Sequence, residues 1–479
     1  MPQPPPGEPS ELDPEGAPAL PAGSLAAVAE PEPEADPSRH ASYREIGRLS
    51  WPVMVSLGLA NLVGLVDIAM VGRLGPDATA AVGYATQFHF LSQSVLFAVG
   101  FACTALMSRA IGAGNRLRAR GAFAASLLVS FGSALAIIAF VLAPGAAWLR
   151  LLGADPAVAT LTLPYLQLVI GSTLFLSVAM TFEFGMRANR DTRTPLRIAA
   201  VVAAVKIALN AVLIFGEAGF PRLELVGAGI ATVVSQVVGL ALFWLVAARA
   251  PREGMLRPAW QAARPIVADV VRLALPGLGE RLAMNLALLV YFRVLAEYGT
   301  DAVAAYTVGI RILSFSWLPG SGFGIASATL VGQALGAGRP DAAVRAGWRT
   351  TRLALGVALA LGLAGVFQRD PLAHLFVSDP GTLRALEPFL LCLAVTQPFL
   401  QVQFTLGGVH RGAGDTLTPF YAAVAGNWLL RVPLACLFVW VWKLDLVWVW
   451  YAILVDHAVR TAWLAVSFRR RAWTRSLRG

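Results

Sequence analysis

Five stretches of the chain, Ala78–Ser108, Gly121–Leu149, Pro156–Phe182, Leu225–Ala248 and Pro388–His410, contain no Asp, Glu, Lys or Arg. Each is longer than the roughly 20 apolar residues a helix needs to cross a bilayer core. A water-soluble domain has no use for so many uncharged runs, and the remainder could not cover its surface. Only 14% of the 479 residues are charged and 57% are hydrophobic, whereas soluble domains carry about 25% charged residues. The chain is expected to be an all-α integral membrane protein with lipid as its main solvent.

The charges that remain are unevenly placed. Arg109, Arg116, Arg118 and Arg120 follow the second expected span, Arg187, Arg190, Arg193 and Arg197 the fourth, and Arg252, Arg257, Arg264 and Arg272 the sixth. Arg339, Arg345, Arg349 and Arg352 follow the eighth, and Arg469, Arg470, Arg471, Arg475 and Arg478 close the sequence. The loops near 73–77, 150–155, 217–224, 297–301 and 443–445 are poor in positive charge. This is the positive-inside pattern. It puts both termini and every arginine-rich loop in the cytoplasm of a multi-pass plasma (inner) membrane protein, and it accounts for the net charge of +10 without a nucleic-acid partner.

Residues 1–40 hold eleven prolines and eight acidic residues, the composition of a disordered tail, and they lack the basic start and apolar core of a signal peptide. Cys103, Cys392 and Cys436 all lie in apolar runs and read as small buried hydrophobes, not as disulfides or metal ligands.

An internal repeat organises the rest. One constant, gap-free shift pairs Pro52 with Pro276, Gly75 with Gly299, Asp77 with Asp301, Gly100 with Gly324, and Gly112-Ala113-Gly114 with Gly336-Ala337-Gly338. It also pairs Asp155-Pro156 with Asp379-Pro380, Pro164 with Pro388, Arg187 with Arg411, and Asp191-Thr192-x-Thr194-Pro195 with Asp415-Thr416-x-Thr418-Pro419. Twelve transmembrane helices are expected, near 44–70, 82–109, 121–145, 157–183, 195–216, 226–249, 268–295, 303–333, 345–367, 383–407, 418–441 and 446–468. They divide into an N-lobe (41–250) and a C-lobe (268–468), joined by a cytoplasmic linker (251–267) and followed by a basic terminus (469–479). Six helices per copy give the lobes one orientation and a pseudo-twofold along the membrane normal. Parallel repeats of this kind alternate access by rocking about a central cavity.

The stretch Leu65-Val66-Asp67-Ile68-Ala69-Met70-Val71-Gly72-Arg73-Leu74-Gly75 resembles the first helix and loop of multidrug and toxic compound extrusion (MATE) transporters. The stretches Leu318-Pro319-Gly320-Ser321-Gly322-Phe323-Gly324 and Val331-Gly332-Gln333-Ala334-Leu335-Gly336-Ala337-Gly338, and both Asp-Thr-x-Thr-Pro elements, share that resemblance. It extends from about 44 to 468. It implies a secondary antiporter that exports small organic compounds, cationic or amphipathic, against inward H+ or Na+ by a rocker-switch motion, with no cofactor beyond the coupling ion. The bacterial DinF-like branch is the nearest in pattern, and a monomer is expected.

Ionisable groups inside spans are the candidates for ion coupling, because each costs about 2.5–3.5 kcal/mol or more at the bilayer centre. A carboxylate suits this role, since burial and a nearby cation move its proton affinity in opposite directions, and two conformations can differ in both. Asp67 matches the family's N-lobe coupling acid. Lys206 and Asn210 lie four residues apart on one helix face. Asn210 fits the family pattern. Lys206 departs from it, and is one of only two lysines in the sequence. An ammonium beside Asp67 would displace sodium, which favours H+ over Na+; the alternatives for Lys206 are snorkelling to an interface or pairing with Glu183. Thr232 matches a hydroxyl of the same family cluster, with simple packing as its alternative.

Gln87, Gln93, Glu183, Glu280, Arg311 and Arg431 are candidate cavity residues, with Arg311 and Arg431 as expected partners of Glu280. Asp456 and Arg460, four residues apart, are expected to satisfy each other. The tenth span, taken as Pro388–His410, lacks a carboxylate, which argues against a C-lobe sodium site. At the repeat offset the intramembrane charges do not pair: Asp67 falls on Tyr291, Lys206 on Leu430, Asn210 on Leu434 and Glu280 on Ser56.

Neither Gly-Ala-Gly turn carries the Gly-Lys-Ser/Thr ending of a phosphate loop, so ATP-driven transport finds no support. No His-Glu-x-x-His or Gly-x-Ser-x-Gly motif suggests an enzyme. A flippase for a lipid-linked precursor remains an alternative, since such relatives line the cavity with basic residues, as does a dedicated metabolite exporter.

Overall fold

The computed structural model describes residues 42–217, 219–249 and 254–475. The acidic stretch 1–40, residues 251–253 of the linker and the last four residues of the basic terminus lie outside the described residues. Among those described, twelve long helices follow one another. The first six are α1 Tyr43–Gly72, α2 Pro76–Gly112, α3 Arg116–Leu142, α4 Pro156–Ala188, α5 Arg193–Phe215 and α6 Glu224–Arg249. The second six are α7 Val267–Leu295, α8 Thr300–Gly336, α9 Pro340–Phe367, α10 Pro380–Gly412, α11 Leu417–Val441 and α12 Leu446–Arg470. The first eleven are long and apolar enough to cross a membrane. The twelfth carries Asp456, His457 and Arg460, all buried against the rest of the lobe.

The repeat is visible in the helix starts. The shift that carries Tyr43 onto Val267 also carries the first residues of α2, α3, α4 and α5 onto those of α8, α9, α10 and α11. It carries the short helix Gly145–Leu151 onto the start of another, Arg369–Phe376. The physical cause lies in the shared punctuation. Asp155 and Asp379 each accept a backbone hydrogen bond, from Ala157 and Thr382, which caps α4 and α10. Pro156 and Pro380 then occupy the first helical position, where no N–H is needed. The two Asp-Thr-x-Thr-Pro elements do the same for α5 and α11: Asp191 accepts from Thr194 N at 3.0 Å, and Asp415 from Thr418 N at 3.0 Å.

The symmetry breaks in α11. Two segments of this helix, Ala425–Arg431 and Leu437–Val441, are wound as π-helix, the mark of extra residues inserted into an α-helix. The described part of the linker, from residue 254, packs on the N-lobe. Leu256, Ala263 and Ile266 are buried, and this segment packs on α3.

The two lobes meet where α2 crosses α8, at the arginine-rich end. A side chain on Gly112 would come within 2.0 Å of the Gln333 carbonyl oxygen, and one on Gly336 within 2.0 Å of the Arg109 carbonyl oxygen. The repeat exchanges these two contacts, since it pairs Gly112 with Gly336 and Arg109 with Gln333, so the crossing lies on the pseudo-twofold. Only glycine allows backbones so close. Toward the opposite end the lobes part: α1 packs on the second half of α8 and scarcely on the first.

Candidate functional site

In the N-lobe, three of the four residues expected at the coupling site come together. The Lys206 ammonium is ion-paired with Asp67 Oδ2. Asn210 Nδ2 donates to Asp67 Oδ1 at 2.6 Å. The one-turn spacing on α5 is what lets both side chains reach α1. Asn210 is fully buried, while Asp67 and Lys206 keep 22% and 19% of their side-chain surface.

Thr232 does not join by hydrogen bond. Its hydroxyl donates to Ala228 O at 2.9 Å one turn back, a local bond that competes with any tertiary one. Glu183 is taken by Arg187 on its own helix, which leaves Lys206 to Asp67. Gln93 bonds to His89 Nε2 at 3.0 Å, and Gln87 is exposed. His89 was not expected from sequence. Its other ring nitrogen is buried without a hydrogen-bond partner, and a single histidine in an apolar run carries no signal of that.

The C-lobe departs further. Glu280 pairs with Arg411, whose Nη2 lies 2.8 and 2.7 Å from the two carboxylate oxygens, and not with Arg311 or Arg431. The reason is topological: α10 brings Arg411 to α7, whereas Arg431 lies deep among aromatic rings. Its guanidinium is 4.3 Å from the centre of the Tyr291 ring and donates to Tyr306 Oη at 2.7 Å. Arg311 is exposed on α8, on the face opposite the buried Ala302, Ala305, Tyr306 and Gly309. Arg460 reaches Asp456 at 3.5 Å, with the second Asp456 oxygen buried and unpartnered. Helix α10 runs from Pro380 to Gly412 and includes Glu387, which the uncharged run Pro388–His410 leaves out.

Arg431 changes the view of the repeat. Tyr291 occupies in the C-lobe the place of Asp67, and the base stacked on it is Arg431, as Lys206 is the base paired with Asp67. One extra residue in the π-wound segment brings Arg431 into that place instead of Leu430. The basic residue of the cluster therefore survives the duplication, with its acid replaced by a phenol.

Between the lobes lies a cluster that the sequence marked only through the matched pair Arg187 and Arg411. Phe184 of α4 packs edge-on against Phe97 and Phe101 of α2. Three guanidiniums stand over these rings: Arg187 over Phe184 at 5.2 Å, Arg281 over Phe97 at 5.3 Å and Arg411 over Phe101 at 5.2 Å. Further along, Arg190 donates to Gln333 Oε1 at 2.6 Å and to Glu45 Oε1 at 2.8 Å. Gln333 donates to Ala188 O at 2.8 Å, and Thr329 to Arg187 O at 3.1 Å. These bonds tie α8 to the N-lobe at the arginine-rich end. Among the described residues, no three His, Cys, Asp or Glu side chains converge as a metal site would require.

Two lobes of six membrane helices related by a pseudo-twofold, with charged side chains held between the helices, have the architecture of a membrane transporter. The MatE family model matches residues 52–212 and 276–437, and the chain belongs to that family. The two matches begin at the paired prolines, and the second is one residue longer, in agreement with one additional residue in α11. A probable multidrug resistance protein NorM of Bradyrhizobium diazoefficiens is 30% identical over 442 residues, covering 90% of this chain and 94% of its own. A FAD transporter of Shewanella oneidensis is 29% identical, covering 82% and 89%. The crystal structure of a mutant of the Vibrio cholerae MATE transporter VcmN superposes with a TM-score of 0.84 at 21% identity, over 91% of this chain and 97% of that one. The protein is thus a multi-pass membrane transporter of the multidrug-efflux type, and not an enzyme.

Proposed function

We propose that the protein is an H+-coupled antiporter that exports small organic compounds, with Asp67 as the coupling residue, both termini cytoplasmic and the monomer as the working unit. The observation that carries the reading is the Asp67–Lys206–Asn210 cluster. An ammonium directly on the carboxylate holds the place a sodium ion would need. A proton needs no such room: it can add to Asp67 when a rearrangement of α1 against α5 within the N-lobe separates the pair, releasing Lys206. Asn210 supports either state, since its amide donates to the ionised carboxylate and, turned over, would accept from the protonated one. The Asn210 oxygen is buried and unpartnered in the present arrangement. The membrane potential adds about 2.3 kcal/mol per charge moved for each 100 mV.

The test is transport in proteoliposomes under a pH gradient or a Na+ gradient, with dyes of both charge signs. Asp67→Asn should abolish pH-driven export. Lys206→Asn should shift the preference toward Na+. Unchanged ion preference in Lys206→Asn, together with full activity in Asp67→Asn, would refute the mechanism.

A further inference from the structure

The exporter reading leaves the cargo undefined, and the charges between the lobes bear on it. Helices α2 and α7 are in contact where Gly277 meets Ala98. Arg281 is one turn further along α7, at the point where the two helices begin to part. It therefore stands at the floor of the interlobe space, with Phe97 behind it.

The local ion account does not close. Three guanidiniums (Arg187, Arg281, Arg411) face two carboxylates. Glu183 is taken by Arg187 and Glu280 by Arg411. Arg281 makes no hydrogen bond or ion pair to the described residues. It is half-buried, and its guanidinium carbon lies 5.3 Å from the centre of the Phe97 ring. A cationic compound arriving here meets a guanidinium that no carboxylate contacts directly, and finds both carboxylates of the cluster already engaged. A carboxylate or phosphate meets a fork of donors of matching geometry and a charge of opposite sign.

We propose that the floor of the interlobe space is a binding site for an organic anion, a carboxylate or phosphate on an apolar body, with Arg281 as its anchor. The open edges of Phe97 and Phe101, both partly exposed, take the apolar part. This rests on the reading of the protein as an exporter, and it replaces the expectation of a cationic cargo.

The experiment uses the whole protein in phosphatidylcholine nanodiscs without any ion gradient, titrated with fluorescein (an aromatic dianion) and with ethidium (an aromatic cation), and followed by fluorescence anisotropy. Fluorescein should bind saturably, and Arg281→Gln should weaken it at least tenfold while leaving ethidium unaffected. Arg281→Lys, which keeps the charge and loses the fork, should weaken it severalfold and carries the test if Arg281→Gln does not elute as a single species. Soluble AMP and a bilayer-dissolved polyprenyl phosphate compete in separate arms. Displacement by the first identifies a free anion as cargo, and displacement by the second a lipid-borne one; either supports the site. Absence of fluorescein binding, equal affinity in a well-assembled Arg281→Gln, or displacement by neither competitor overturns the proposal. Because no gradient is present, loss of pH-driven transport with anion binding intact counts against the coupling mechanism alone, and the converse against this site alone.

Discussion

Arg190 has a left-handed backbone, with φ of 63°, which costs an L-residue about 1–2 kcal/mol. The equivalent C-lobe position is Gly414, with φ of 83°, where the conformation costs a glycine little. The arginine is retained although its backbone is strained, and its side chain gives the reason: it joins Glu45 of α1 and Gln333 of α8. The Gln333 bond crosses between lobes, and a hydrogen bond from a charged donor contributes about 1.5–3 kcal/mol. The Glu45 bond stays within the N-lobe, is partly exposed, and is worth at most about 1 kcal/mol.

Arg190→Gly therefore acts on two quantities differently. Relief of strain is common to every conformation that keeps the loop, so it offsets the lost Glu45 pair in overall stability. The equilibrium between closed and open arginine-rich ends feels only the interlobe bond. A loss of about 1.5–3 kcal/mol there is roughly a tenfold to hundredfold shift toward the open form. Double electron–electron resonance between spin labels at Leu117 and Asp341, both exposed, reads that equilibrium, and a thermal melt reads stability. The expected result is a new long-distance population with a nearly unchanged melting temperature. An unchanged distance distribution, or a large loss of stability, refutes the argument.

Other consequences follow from single contacts. Gly336→Ala places a methyl group within 2.0 Å of a carbonyl oxygen, and backbone cannot step aside as a side chain would. It should open the α2–α8 crossing, cost about 1–3 kcal/mol and suppress transport, whereas Gly356→Ala, with nothing within 4 Å, should be neutral or mildly stabilising in the same melting and transport assays. Burial pushes the Asp415 carboxyl up, but its bonds from His410 and Thr418 prevail and hold it below the ordinary value. A depressed carboxylate stabilises the fold above its unfolded-state value near pH 4 and loses that contribution as pH falls. Asp415→Ala should cost about 1 kcal/mol at pH 7 through the lost cap, Asp415→Asn less, and the gap from wild type should narrow in melts below about pH 4.

The architecture was legible from the sequence because its signals are local. Asp155, Asp379, Asp191 and Asp415 cap helices through the next few residues, Pro52 and Pro276 punctuate the same depth in each lobe, and apolar runs reveal spans whatever they pack against. The N-lobe cluster was legible for the same reason, since the spacing of Lys206 and Asn210 is a property of one helix. For Thr232 the sequence left cluster and packing roles open, because a hydroxyl can satisfy itself on its own helix, as it does here on Ala228. That Arg431 stands where the repeat puts Leu430 was hidden because a π-wound turn shifts the register by one residue with no gap to mark it.

What the sequence by itself determined is a duplicated bundle of membrane helices, the caps and prolines that punctuate both copies, and one helix face carrying Lys206 and Asn210. Tertiary structure alone decided which charge meets which. Glu280 could have been served by Arg311, Arg411 or Arg431, and nothing in their spacing ranks them, because the pairing depends on where α7, α10 and α11 cross. The same packing gives Glu280 to Arg411 and leaves Arg281, its neighbour in sequence, without an ion pair among the described residues. Local chemistry is written along the chain; the balance of charge at a site is a sum over helices that only the fold brings together.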